Sequence, residues 1–210
     1  MDLRERTMHV IESLKQEYPL ALCTLDHDQA WKLLVSVRLA AQCTDERVNQ
    51  ITPGLFSAYP SPQALARAEE DDLERIVRPC GLGRSKARDI RGCMQRLVDV
   101  FDGRVPDTME ELLSLPGVGR KSANLILGDI FGKPAIVTDT HCIRLSNRIG
   151  LVKNERDPAK VERELRALVP PEEGNDLCHR FVLHGRRICT ARKNPDCLRC
   201  CLKNFCERNL

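Results

Sequence analysis

No apolar run in the 210-residue chain approaches the roughly 20 residues that a membrane-spanning helix needs; the longest are short and broken by charge. The opening stretch, MDLRERTMHVIESLKQEYPL, also lacks the apolar centre of a secretory signal and instead mixes charged and apolar residues at helical spacing. Strict polar–apolar alternation, the mark of a half-buried strand, is missing. So are tandem repeats, low-complexity linkers and an uninterrupted heptad seam. These absences argue against a membrane span, a sheet and a coiled-coil oligomer. They lead to the expectation of a cytoplasmic, all-α, monomeric protein of one large or two small domains.

Helical patterning is what the chain has in abundance. Apolar residues recur at i, i+3, i+4 over 4–17, 30–41, 44–56, 61–68, 70–77, 83–101, 108–115, 120–131, 140–149, 158–169 and 176–188. Start signals accompany several of these segments: Ser61-Pro62, Asp107 before Thr108, and Asp157-Pro158. Net charge is only +3, but its distribution is uneven. Residues 178–210 hold eight Arg and Lys (180, 186, 187, 192, 193, 199, 203, 208) against Asp196 and Glu207. A second basic stretch carries Arg84, Lys86, Arg88, Arg91 and Arg96 against Asp89. Basic faces on a modestly charged protein suit a polyanion.

Eleven cysteines are many for a reducing compartment, where metal binding is a commoner use than disulfides. Six (Cys23, Cys43, Cys80, Cys93, Cys142, Cys178) stand singly and read as small buried hydrophobes. The other five crowd the last 22 residues. Cys189, Cys197, Cys200 and Cys206 have the spacing C-x7-C-x2-C-x5-C. Four thiolates in one short loop suit a tetrahedral zinc or a four-iron cubane. A single short C-x2-C pair favours the iron–sulfur cluster over the two knuckles of a zinc ribbon. Cys201 competes with Cys200, and the spacing favours Cys200. Four protein ligands leave no open position for substrate, so the group staples a loop that carries Arg192, Lys193, Arg199 and Lys203.

The segment Leu115-Pro116-Gly117-Val118-Gly119-Arg120-Lys121 is a Gly-rich turn between two helical stretches, a helix–hairpin–helix. Free N–H groups at the start of its second helix suit a phosphate. Lys121 then offers a phosphate-binding cation or an amine nucleophile able to form a Schiff base at a sugar carbon. The run is not a P-loop, because the GxxxxGK[ST] spacing fails and no strand precedes it. Asp139 precedes the helix beginning near Thr140; it reads as an N-cap and, compatibly, as a carboxylate that stabilises developing positive charge. Gln42, at a polar break after an apolar helix, is either a helix-end residue or one that reaches into a base stack. Leu82, at the tip of Cys80-Gly81-Leu82-Gly83-Arg84, is either a loop leucine or a wedge between bases.

Together LPGVGRK at 115–121, TDTH at 138–141, AQ-x-TD at 41–45, GL-x-x-SKA at 81–87 and LHGRRIC at 183–189 resemble the endonuclease III family of helix–hairpin–helix DNA glycosylases, over nearly the whole chain. The resemblance implies two helical lobes. A six-helix lobe over about 23–133 would carry the hairpin (about 108–131). Residues 1–22 and 134–210 would form the other, with a [4Fe–4S] cluster on Cys189, Cys197, Cys200 and Cys206. Double-stranded DNA with a damaged pyrimidine or an abasic site is the implied partner, bound across the cleft between the lobes. Lys121 would be the Schiff-base nucleophile and Asp139 the essential carboxylate. Gly117, Val118, Gly119 and Arg120 would hold phosphate, Gln42 would fill the gap of a flipped nucleotide, and Leu82 would wedge into the opposite strand. Two departures stand out: the first cysteine gap is seven residues where six is common, and Gly83 stands where an aromatic is frequent. The competing readings are a glycosylase of the same superfamily that activates water, and a non-catalytic DNA-binding module with a structural metal.

Overall fold

In a computed structural model the described residues are 1–192 and 195–208, so Lys193 of the basic loop lies outside them. Among these residues there are eleven α-helices, two single-turn 3₁₀ helices and no strand. No helix among them is long and apolar enough to cross a membrane. The chain forms two compact units, one of residues 23–131 and one of 1–22 with 132–210.

The continuous unit holds α2 (Ala30–Leu39), α3 (Asp45–Ala58), α4 (Pro62–Ala66), α5 (Glu70–Val77), α6 (Gly83–Phe101), α7 (Met109–Leu113) and α8 (Arg120–Asp129). Seven helices therefore stand where six are implied by the resemblance, two of them only five residues long. The reason is local: Ser61 caps α4 by accepting from the Ala64 N–H, and Pro62 occupies its first turn. The cap of α7 is Thr108 rather than Asp107. Its hydroxyl accepts from the Glu111 N–H and donates to the Glu111 carboxylate, so one side chain holds both the backbone and the side chain of the third helical residue. Apolar faces of these helices meet in one core that includes Leu33, Leu39, Val48, Leu55, Leu73, Ile90, Met94, Leu97 and Ile126. Each fully buried leucine there contributes about 2 kcal/mol of transfer free energy. α6 is the spine of this unit; α2, α4 and α5 all pack on it, and α2 also touches α8.

The discontinuous unit holds α1 (Leu3–Glu17), α9 (Thr140–Ile149), α10 (Pro158–Leu168) and α11 (Gly174–Arg187). α11 packs on α9, and α1 packs on α10 and α11. Asp2, Asp139 and Asp157 cap α1, α9 and α10 with side-chain oxygens. Charge is buried here where the sequence reads as surface. Arg180 is 5% exposed; it donates to the Tyr18 carbonyl and to Asp176, so it is not part of a basic face.

Candidate functional site

The hairpin is built as its residues dictate. α7 ends at Leu113, the turn runs through Pro116 and Gly117, and α8 starts at Arg120. Gly117 has φ +74°, and a Cβ there would lie 2.9 Å from Asp89 Cβ and 3.0 Å from Arg38 Cδ. Glycine is therefore required twice over, by backbone handedness and by the close approach of two side chains. Gly119 caps α8 with its backbone alone and no side-chain hydrogen bond. Gly117, Gly119, Arg120 and Lys121 are exposed and Val118 is half-buried, so the start of α8 presents N–H groups and an amine to solvent.

Gln42 and Leu82 are exposed, and both sit in left-handed backbone, with φ 55° and 52°. Leucine in this region costs about 1–2 kcal/mol and persists only where the surroundings hold it. What surrounds it is a buried lysine. Lys86 is fully buried; its Nζ donates to the Leu39 carbonyl at 2.8 Å and the Cys80 carbonyl at 2.7 Å. The sequence groups Lys86 with a basic face, and the structure corrects this. The available signal was its register, since Lys86 lies on the i, i+4, i+7 line with Ile90 and Cys93, both buried. Arg38, also missed, pairs with Asp89 at 2.7 Å and reaches Ser85 at 3.3 Å beneath the hairpin. A small cavity of about 10 Å³ beside this pair is lined by Leu34, Asp89, Ile90, Met94 and Pro116, among others.

In the other unit Asp139 is the N-cap of α9. Its Oδ1 accepts from the Cys142 N–H at 2.7 Å, which uses one of its two oxygens. The cysteine loop follows α11. Arg144 and Arg148, one turn apart on α9, hold its start: Arg144 Nη2 donates to the carbonyls of Gly185 and Cys189, and Arg148 Nη1 to the Thr190 carbonyl at 2.6 Å. Arg148 Nη1 also lies 3.5 Å from Cys189 Sγ. Backbone N–H groups of Leu202 and Arg208 point at Cys200 Sγ and Cys206 Sγ, at 3.4 and 3.3 Å. Burial pushes the Cys200 thiol up to about 12, with Cys201, Cys206 and Cys189 adding to it and the Leu202 N–H opposing; the Cys206 thiol is raised by burial and feels Cys189 and Cys197. Cys189, Cys197, Cys200, Cys201 and Cys206 thus share one neighbourhood. Cys201 is raised by its own burial and, in addition, by Glu17. Among the described residues no three such donors converge closely enough to hold a single ion. A half-buried set of four thiols, met by N–H donors, does suit a polynuclear sulfur cluster.

Residues 35–171 match the model of the HhH-GPD superfamily base excision DNA repair protein. Endonuclease III of Synechocystis is similar at 45% identity, over 97% of this chain and 92% of its own length. The chain belongs to the endonuclease III family. The family's Thermotoga maritima member is 43% identical over 84% of this chain and 82% of its own. Among solved structures, a trapped endonuclease III–DNA covalent intermediate, an estranged-adenine complex, superposes with a TM-score of 0.93 at 37% identity. The match covers 99% of this chain and 97% of that one. The family's all-helical fold is therefore the fold of this chain.

Proposed function

We propose that the protein removes damaged pyrimidines from duplex DNA and then nicks the strand 3′ to the abasic site, with Lys121 as nucleophile. As a member of its family it is a base excision repair DNA glycosylase with AP lyase activity. The observation that carries the assignment to Lys121 is its exposed place in the first turn of α8, at a helix start with no side-chain cap. The Val118 N–H closes the turn on the Leu115 carbonyl at 3.2 Å, so the N–H groups of Gly117, Gly119 and Arg120 are the donors for a phosphate, and Lys121 then lies one residue from them.

In this reading the damaged nucleotide leaves the stack, Gln42 fills its place and Leu82 enters the opposite strand. The Nζ of Lys121 bonds to C1′ while the C1′–N bond breaks, and the base departs with that electron pair and takes up a proton. Asp139 stabilises the positive charge developing on the sugar. Its position as a cap fixes the carboxylate before substrate arrives. Opening of the sugar leaves an iminium; loss of a C2′ proton then breaks the C3′–O bond and releases the 3′ phosphate. Water returns the amine. Cys189, Cys197, Cys200 and Cys206 are the residues that would hold a [4Fe–4S] cluster. Bound there, the cluster supplies structure rather than a reacting group, stapling a loop that carries Arg192, Arg199 and Lys203. A cytoplasmic monomer acting on chromosomal DNA completes the proposal.

Borohydride trapping on thymine glycol and abasic duplexes tests it. A covalent complex with both DNAs, lost in Lys121→Gln with binding retained, is expected. Trapping by Lys121→Gln at the normal rate would move the chemistry to another amine. Binding without trapping by the native protein would favour a water-activating glycosylase.

A further inference from the structure

Two left-handed residues separated by 40 positions in sequence, Gln42 and Leu82, are connected by a single buried side chain. The carbonyls that Lys86 caps are not arbitrary ones. Leu39 is the last residue of α2, three before Gln42, and Cys80 is the last residue of the 3₁₀ turn Arg78–Cys80, two before Leu82. Both are helix C-terminal carbonyls with no partner in their own helix, where the dipole favours a cation. One ammonium therefore closes two helix ends at once. The thiols of Cys43 and Cys80 flank the same two turns. The Lys86 backbone N–H also donates to the Leu82 carbonyl at 3.0 Å, fixing the leucine's strained conformation from inside α6.

The energetics show why this cation is unusual. A lysine with no exposed surface forfeits its hydration, and burial lowers its pKa, with the neighbouring Arg38 adding to that and the two thiols opposing it. An apolar residue would pack the same position of α6 without that penalty. The return for it is geometric: neither turn can move without breaking a bond to the same nitrogen.

We propose that Lys86 is a positioning residue for base extrusion, holding the Gln42 and Leu82 turns in one fixed arrangement so that both enter the duplex together. This rests on the reading of Gln42 and Leu82 given above. Lys86 touches neither DNA nor the reacting atoms; it acts through the two turns.

The test compares Lys86→Met, which keeps length and apolar volume, with the native protein on two DNAs. One is a thymine glycol duplex, which must be opened; the other is a single-stranded abasic oligonucleotide, which has no duplex to open. Rates are single-turnover and normalised to the borohydride-trappable fraction, so partial unfolding does not enter. The expected loss is about tenfold or more greater on the duplex than on the single strand, as small misplacements of positioning groups produce. Lys86→Arg, which can still donate to two carbonyls, recovers most of it. In a Gln42→Ala/Leu82→Ala background the additional cost of Lys86→Met shrinks to within about twofold, because the groups it positions are gone. Equal losses on both DNAs, or an undiminished cost in that background, would overturn the proposal and leave Lys86 a packing residue. If Gln42→Ala/Leu82→Ala itself leaves duplex excision unchanged, the reading of the two wedges fails first, and the proposal with it. Should Lys86→Met not fold, Lys86→Gln, which keeps a polar donor but is shorter and uncharged, carries the same comparison.

Discussion

Asp139 has two duties that substitution separates. As an N-cap it satisfies the Cys142 N–H, a role asparagine fills equally well. As the proposed charge-stabilising carboxylate it has no neutral substitute. Asp139→Asn is expected to slow base release about a hundredfold or more while leaving the thermal midpoint within about a degree. Asp139→Ala adds a stability loss of about 1 kcal/mol, measurable by urea unfolding. Equal activity of the asparagine variant and the native protein would remove the carboxylate from the chemistry. Gly117 makes a different kind of demand. Gly117→Ala must hold an L-residue at φ +74° and push Asp89 or Arg38 aside, a cost of about 2 kcal/mol or more. Since Arg38 and Asp89 form the ion pair beneath the hairpin, DNA affinity should fall together with stability. A fully stable Gly117→Ala protein would contradict the geometry described for the turn.

At the scale of elements, the cysteine loop is held from outside itself. Its first cysteine follows α11, its start is tied to Arg144 and Arg148 of α9, and the N–H of Glu207 donates to the Ile149 carbonyl at the end of α9. The sequence could propose a ligand set by spacing alone, and that spacing favours Cys200 over its neighbour Cys201. Their surroundings differ: Cys200 Sγ lies 3.3 Å from His184 Nε2 and accepts from the Leu202 N–H, while Cys201 faces the charge of Glu17. Cys200→Ser is therefore expected to lose iron and sulfide on purification, and Cys201→Ser to retain both. The reverse pattern would assign the fourth ligand to Cys201. Chelation or oxidative loss of the proposed cluster should weaken DNA binding through disorder of the basic loop, without changing the identity of the trapped amine.

Across the whole molecule, burial sorts the eleven cysteines by reactivity. Burial pushes the Cys93 thiol up to about 12 and the Cys80 thiol to about 11, while Cys142, beside Cys178, is raised by the hydrogen bond between them and by burial. Thiolates are the reactive form, so native protein treated with iodoacetamide should leave Cys80, Cys93, Cys142 and Cys178 unlabelled until denaturant is added. Labelling of Cys93 in native protein at the rate of an exposed thiol would mean that the continuous unit opens readily. The sequence by itself determined the secondary structure and its class, because a helix needs only a periodic apolar face and a cap, both local properties. The expected segments 70–77, 83–101 and 140–149 coincide with α5, α6 and α9. It also determined where the hairpin turns, since Pro116, Gly117 and Gly119 act on their own backbone. Tertiary structure decided what the internal charges bind, although the register of Lys86 with Ile90 and Cys93 already marked its face as buried. Lys86 and Arg180 are written like the arginines around them, yet each is buried against carbonyls far away in sequence, Leu39 for one and Tyr18 for the other. The physical reason is that a buried cation is tolerated only where unpaired carbonyls converge on it, and such convergence belongs to the packing of helices, not to any stretch of sequence.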